Sequence, residues 1–148
     1  VIAVCALKPL LPLLTVWALT GVPDAVSLQA AADANNVPHD VMLPVALVET
    51  RLSLDPTVRS NMGAVGRMQI LPRVWRHYSR ECWNAARDYA DNVACGAQVL
   101  RHYANVCADD WPCATALYYG LGRQTHAYIT AVERARGRLW WRAVVAEV

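Results

Sequence analysis

VMLPVALVE (41–49) is followed by GAVGRMQILP (63–72), and the two strings read differently. The first is apolar from Val41 to Val48 and ends on Glu49. It predicts a buried helix opening at His39 or Asp40, with Pro44 in the early turns where proline is tolerated. A carboxylic acid reached through apolar residues is held out of water, which disfavours its charged form and raises its pKa toward the range of a general acid. The second string reads as a loop: Gly63 and Gly66 admit backbone angles that other residues avoid, while Met68 and Gln69 offer an apolar body and an amide. Each half alone has a plainer reading, since a Glu closing a helix is usually solvated and Gly-x-x-Gly is common turn chemistry.

Outward from this pair, helical periodicity recurs and strand signals are scarce; no Asn-Gly or Asp-Gly hairpin turn occurs. Ser27 is placed to cap a helix over Leu28–Asn35 that Asn36-Val37-Pro38 ends. Pro72 opens another through Arg80, Asp91 caps one over 92–106, and Trp111-Pro112 starts a fifth. A last helix covers Gln124–Arg136, with Gly137 as its stop. The expectation is an all-α domain of about six helices, with room for a minor β element.

The chain has 148 residues, enough for one domain with a core. Residues 1–23 contain VIAVCALKPLLPLLTVWALTG (1–21), charged only at Lys8 before Asp24, and read as a secretory signal or a membrane anchor. Pro9 and Pro12 weaken both as a regular helix, no tidy cleavage site precedes Asp24, and Val4 makes Cys5 a poor lipid-attachment site. The domain proper is expected over 24–137, leaving 138–148 as a tail whose Trp140 and Trp141 either cover the core or dock on a membrane or partner. Net charge is +2, with the basic residues scattered, so nothing resembles a nucleic-acid face.

Cys82, Cys95, Cys107 and Cys113 form an even set after an export-like start, which suggests two disulfides. Of the three pairings, Cys82–Cys95 with Cys107–Cys113 is preferred, the second closing a short interhelical loop around Trp111-Pro112. A zinc site is the competing reading, but no Cys-x-x-Cys pair occurs and His77 and His102 have no ligand spacing; no metal and no cofactor are expected.

The string ET-x5-P-x3-S-x2-GAVGRMQ-x2-P (49–72) resembles the ES…P…S…GA.GLMQ…P signature of the soluble lytic transglycosylase (SLT) domain, a lysozyme-like module that cuts peptidoglycan. Two further matches support the likeness, which spans most of the chain from Val26 to Arg136. Asn92, Val93, Gly96 and Leu100 fit a helix that packs behind the family's active site, where Gly96 would permit close helix–helix approach. In ALYYGLG (116–122), Tyr118 takes the position of the family tyrosine in A-Y-N-A-G and Tyr119 replaces the asparagine; Tyr128 matches a second family tyrosine. As plain residues, all three tyrosines would be half-buried core aromatics.

The resemblance implies a fold and a chemistry. Glycoside cleavage usually takes two carboxylates, but the next one after Glu49 is Asp55, in an Asp-Pro turn, with Asp88 and Asp91 as more distant candidates. The family's single-acid route fits that scarcity. Glu49 would protonate the glycosidic oxygen and then act as base on the C6 hydroxyl of N-acetylmuramic acid, giving a 1,6-anhydro product. Ser60 would bind the substrate acetamido group or orient Glu49, Met68 and Gln69 would line the cleft, Tyr118 would hydrogen-bond Glu49, and Tyr128 would flank the sugar. Departures from the signature are Thr50 for serine, Arg67 for leucine and Tyr119 for asparagine. Arg67 is expected either to face solvent or to meet a peptide carboxylate of the wall.

The implied partners are peptidoglycan glycan strands and, by likeness to small specialised members, a secretion or conjugation machine. Membrane contact would come only through an uncleaved N-terminal segment, and the implied location is the periplasm or outside the cell. A hydrolysing muramidase of the same fold, or a catalytically inactive wall-binding component, are the alternatives.

Overall fold

The structure is a computed structural model that describes residues 21–50, 55 and 57–145, with side chains through Leu139. The apolar start (1–20), Pro56 and the side chains of Trp140 and Trp141 lie outside the described residues, and with them the signal, anchor and core-covering readings. Seven helices are described: α1 Ala25–Ala34, α2 His39–Thr50, α3 Pro72–Trp75, α4 Arg80–Asn84, α5 Tyr89–Val106, α6 Trp111–Tyr119 and α7 Thr125–Val145. The minor β element amounts to two isolated antiparallel bridges, Arg59 with Val65 and Val65 with Ile70, inside the loop that follows α2. The fold is therefore all-α, as the periodicity implied. Among the described residues no helix is long and apolar enough to cross a membrane.

α2 lies at the centre of the domain. Val41 to Ala46 are all buried, so this helix is hidden on every side rather than along one stripe. It packs between α7 and α1 and touches α6. Met42, Val45 and Ala46 share one core with Leu28 and Ala32 of α1, Val93 and Leu100 of α5, and Val132 of α7. Each fully buried Val, Leu or Met side chain contributes roughly 1.5–3 kcal/mol. Pro44 is tolerated in the interior of α2 rather than at its first position. The helix is exposed at its start, His39 and Asp40, and becomes partly exposed again from Leu47, where Glu49 stands.

Several boundaries differ from the sequence expectation, each for a local reason. α1 starts at Ala25, ahead of Ser27, and its cap residue Asp24 makes no capping hydrogen bond because its carboxylate is engaged elsewhere. α5 starts at Tyr89, since Asp88, not Asp91, supplies the cap by accepting from Asp91 N at 2.8 Å. The helix expected over Pro72–Arg80 is two short ones. Ser79 adopts an extended conformation and its Oγ accepts from Cys82 N, restarting the helix at Arg80. Gly137 does not stop α7, which runs on to Val145 across the expected domain boundary. A glycine ends a helix by taking positive φ; Gly120 does so after α6, at 99°, and Gly137 does not.

The cysteines pair as Cys82–Cys95 and Cys107–Cys113. The first ties α4 to α5 and the second closes the turn between α5 and α6. Paired sulfurs are not thiolate ligands, which removes the zinc reading.

Gly96 has a different neighbour from the one expected. A methyl group built there would lie 2.5 Å from Met68 Cγ, so the glycine admits the Met68 side chain from the loop rather than another helix. Gly96→Ala is expected to cost about 1–3 kcal/mol by overpacking, read as a lower denaturant midpoint at unchanged slope.

Candidate active site

α2 brings Glu49 to the domain edge, and α7 brings Tyr128 to meet it. The Tyr128 hydroxyl donates to Glu49 Oε1 at 2.6 Å. Burial raises the Glu49 pKa to about 7, and the Tyr128 hydrogen bond opposes the rise without cancelling it. Near neutrality the carboxyl is thus divided between its acid and base forms. Because Tyr128 donates to Oε1, the proton of the acid form belongs on Oε2. Tyr128 is itself buried, and burial together with the Glu49 charge pushes its pKa well up, so it stays a donor.

The loop from Val58 to Leu71 follows α2 in the chain, and Asn92 of α5 holds it. This fully buried amide accepts from Met68 N at 2.8 Å and donates to Val65 O and Ala85 O, each at 2.9 Å. Gly66 passes directly over it with φ 73°, and a Cβ there would sit 2.3 Å from Asn92 Nδ2. The signature glycine is therefore required twice, by its backbone angle and by space. Gln69 takes φ 48°, uncommon for a residue with a side chain. Its main-chain N and side-chain Nε2 both donate to Gly66 O, at 3.1 and 2.9 Å, and the side chain stays partly exposed.

Arg67 neither faces solvent nor is open to a wall peptide. Its side chain is fully buried and grips the Asp24 carboxylate with two nitrogens, Nε at 2.8 Å and Nη2 at 3.1 Å. Its Nη1 donates to Ala46 O at 2.7 Å and to Thr50 Oγ1 at 3.0 Å, while Thr50 Oγ1 donates back to Arg67 O at 2.9 Å. Tyr89 of α5 gives its hydroxyl to Asp24 Oδ2 at 2.5 Å. One buried cation thus joins the chain entry, the end of α2 and the loop, and the Thr50 hydroxyl completes the joint. The cation at a usually apolar position is accommodated because Asp24 is there to receive it.

Other expected site residues sit differently. Met68 is fully buried against Gly96, so it supports the loop from beneath and does not line a cleft with its side chain. Tyr118 donates to Met68 O at 2.6 Å rather than to Glu49; the hydrogen bond to the acid comes from Tyr128, the residue expected to flank the sugar. Tyr118 still lies close enough for the Glu49 charge to help burial raise its pKa. Ser60 Oγ accepts from Met62 N and Ala64 N and so shapes the 60–64 turn. Asp55 accepts from the Thr57 backbone and hydroxyl, and this holds its carboxyl below the usual range. Asp88 is a helix cap.

Asn92, Asp24 and Tyr119 are the residues that sequence reasoning did not place at the site. The only signal for Asn92 was its match to the family helix; nothing in the sequence marked Asp24. Tyr119 stacks on Tyr128 at 4.4 Å.

Comparison with curated proteins and with solved structures gave no match. Against protein families, the model described as Transglycosylase SLT domain matches residues 27–139, which takes in α2, the glycine loop, Asn92 and both tyrosines that flank the acid. The chain belongs to the transglycosylase SLT domain family.

Proposed function

We propose that this chain is a peptidoglycan lytic transglycosylase that cleaves the β-1,4 bond between N-acetylmuramic acid and N-acetylglucosamine and closes a 1,6-anhydro ring. The observation that carries the reading is Glu49: an enclosed carboxyl with pKa raised to about 7 and a neutral donor, Tyr128, on one oxygen. Such a group can give a proton and take one back near neutral pH, which a one-carboxylate mechanism demands. Of the three carboxylates considered as second groups, Asp55 and Asp88 are engaged in a local turn and a cap, and Asp91 lies in the first turn of α5.

Protonated Glu49 donates from Oε2 to the bridging oxygen as the bond to C1 breaks. The substrate's own acetamido oxygen supports the electron-poor C1, in place of a protein nucleophile. Glu49, now a carboxylate, removes the C6 hydroxyl proton as that oxygen bonds to C1. Its proton is thereby restored and no water is consumed. Gln69, fixed by two hydrogen bonds to Gly66 O, presents its amide toward substrate hydroxyl or acetamido groups. Tyr118 and Asn92 serve by holding the Met68 backbone in place, and Ser60 by shaping its turn. The enzyme would act on glycan strands in the cell envelope, in the periplasm or outside the cell, and its small size, export-like start and paired cysteines suit service to a secretion or conjugation machine.

Mass spectrometry of soluble muropeptides released from purified sacculi tests the reaction. Products ending in 1,6-anhydro-N-acetylmuramic acid are expected. Reducing ends would replace this reading with the hydrolysing muramidase, and no release would favour an inactive wall-binding component.

A further inference from the structure

Tyr119 stands where the family signature has asparagine, and its surroundings give it a task that an asparagine could not perform. It is the last residue of α6, before Gly120 turns the chain with φ 99°. Its ring lies 4.4 Å from that of Tyr128 with the planes 20° apart, a stacked pair. Tyr128 is buried whereas Tyr119 keeps 42% of its surface. One face of Tyr119 therefore covers Tyr128 and part of the ring is open to solvent. Tyr128 in turn makes the 2.6 Å hydrogen bond to Glu49.

We propose that Tyr119 is a positioning residue for Glu49, its ring fixing Tyr128 in the orientation that meets the carboxyl and keeping water from their hydrogen bond. This rests on Glu49 being the acid of the proposed reaction. The groups facing Glu49 among the described residues are few. Tyr128 comes from α7 and Tyr118 from α6. Arg67 of the loop is instead engaged with Asp24 at the start of α1 and with the α2 backbone. At the opposite end of α2, His39 meets Asp33 of α1 and Asp40 meets Arg136 of α7. Two influences on Glu49 then depend on the stacked ring. Exclusion of water raises its pKa, the Tyr128 bond lowers it, and the first is the larger. Removing the ring admits water, so the balance moves toward an ordinary carboxylate.

The test is a carbon-13 titration of the Glu49 carboxyl in the full chain, for wild type, Y119A, Y119N and Y119F, with thermal melts to confirm that each is folded. Y119A and Y119N are expected to lower the Glu49 pKa by about half a unit or more, while Y119F, which keeps the ring, should match wild type. The basic limb of the pH profile for muropeptide release should move down with it and return in Y119F. An unchanged Glu49 titration in Y119A would overturn the proposal, as would a Y119F shift as large as that of Y119A, which would implicate the hydroxyl instead. The titration needs no substrate. A wild-type chain that released no muropeptides would therefore overturn the functional reading while the titration still judged the contact.

Discussion

Glu49→Gln is expected to abolish wall cleavage and, at the same time, to make the protein more stable. The loss of activity should be at least the roughly hundredfold to ten-thousandfold that general acid–base help contributes. The gain in stability follows from the raised pKa. Below the unfolded value of 4.5 the carboxyl is protonated in both states and the residue costs nothing. As pH rises from 4.5 through about 7, the unfolded chain releases its proton while the folded one retains it, and stability is lost progressively. Above that window the penalty levels off at roughly 2–3 kcal/mol, allowing for the partial exposure of the carboxyl. Glutamine cannot ionise, so melting curves of the two proteins should nearly coincide at pH 4 and separate by several degrees at pH 8. Coincident curves at pH 8 would mean an ordinary solvated carboxyl. Cleavage by wild type should fall over the same upper range, because the acid form that starts the reaction disappears as pH passes about 7.

Arg67→Leu restores the residue the family signature carries and should nonetheless be among the most damaging single changes. It leaves the Asp24 carboxylate buried, with Tyr89 as its remaining hydrogen-bond donor. It also withdraws donors from Ala46 O and Thr50 Oγ1. Breaking one side of a buried ion pair costs about 3–5 kcal/mol. The double variant Arg67→Leu with Asp24→Leu removes both charges, and such replacements are often neutral or favourable. Chemical denaturation should show the single variant far below wild type and the double variant recovering most of the difference. A mild Arg67→Leu, or a double variant no better than the single one, would mean the pair is not coupled as the geometry requires.

What could be read beforehand, and what could not, follows the range of the interaction. Glu49 at the end of a buried helix was legible because the helix announces itself in consecutive apolar residues. The positive φ of Gly66 was legible in the Gly-x-x-Gly spacing, and the disulfide pairing was preferred for a loop it would close. Arg67 was not legible, because its partner Asp24 lies on the far side of α1 and α2 and only the fold brings them together. The same holds for Tyr128 and Glu49, on helices at opposite ends of the domain sequence. Met68 was misplaced because loop residues in a signature invite a substrate role, whereas Gly96 leaves a socket that only Met68 fills. Gly137 misled because a glycine is a helix stop only where it takes a positive angle, and α7 continues through it.

The two cross-links tie the stability of this domain to the redox state of its surroundings. They span 13 and 6 residues, and closing loops of those lengths restrains the unfolded chain by roughly 2–3 kcal/mol each. Their sum is comparable to the low end of the whole stability of an ordinary domain, about 5 kcal/mol. Both bonds brace the α4–α6 side, which carries Asn92 and Tyr118 and so supports the loop at Met68. A reducing medium is therefore expected to loosen the support of the Met68 loop while leaving the carboxyl on its own helix, so that thiol redox potential enters the stability of the site.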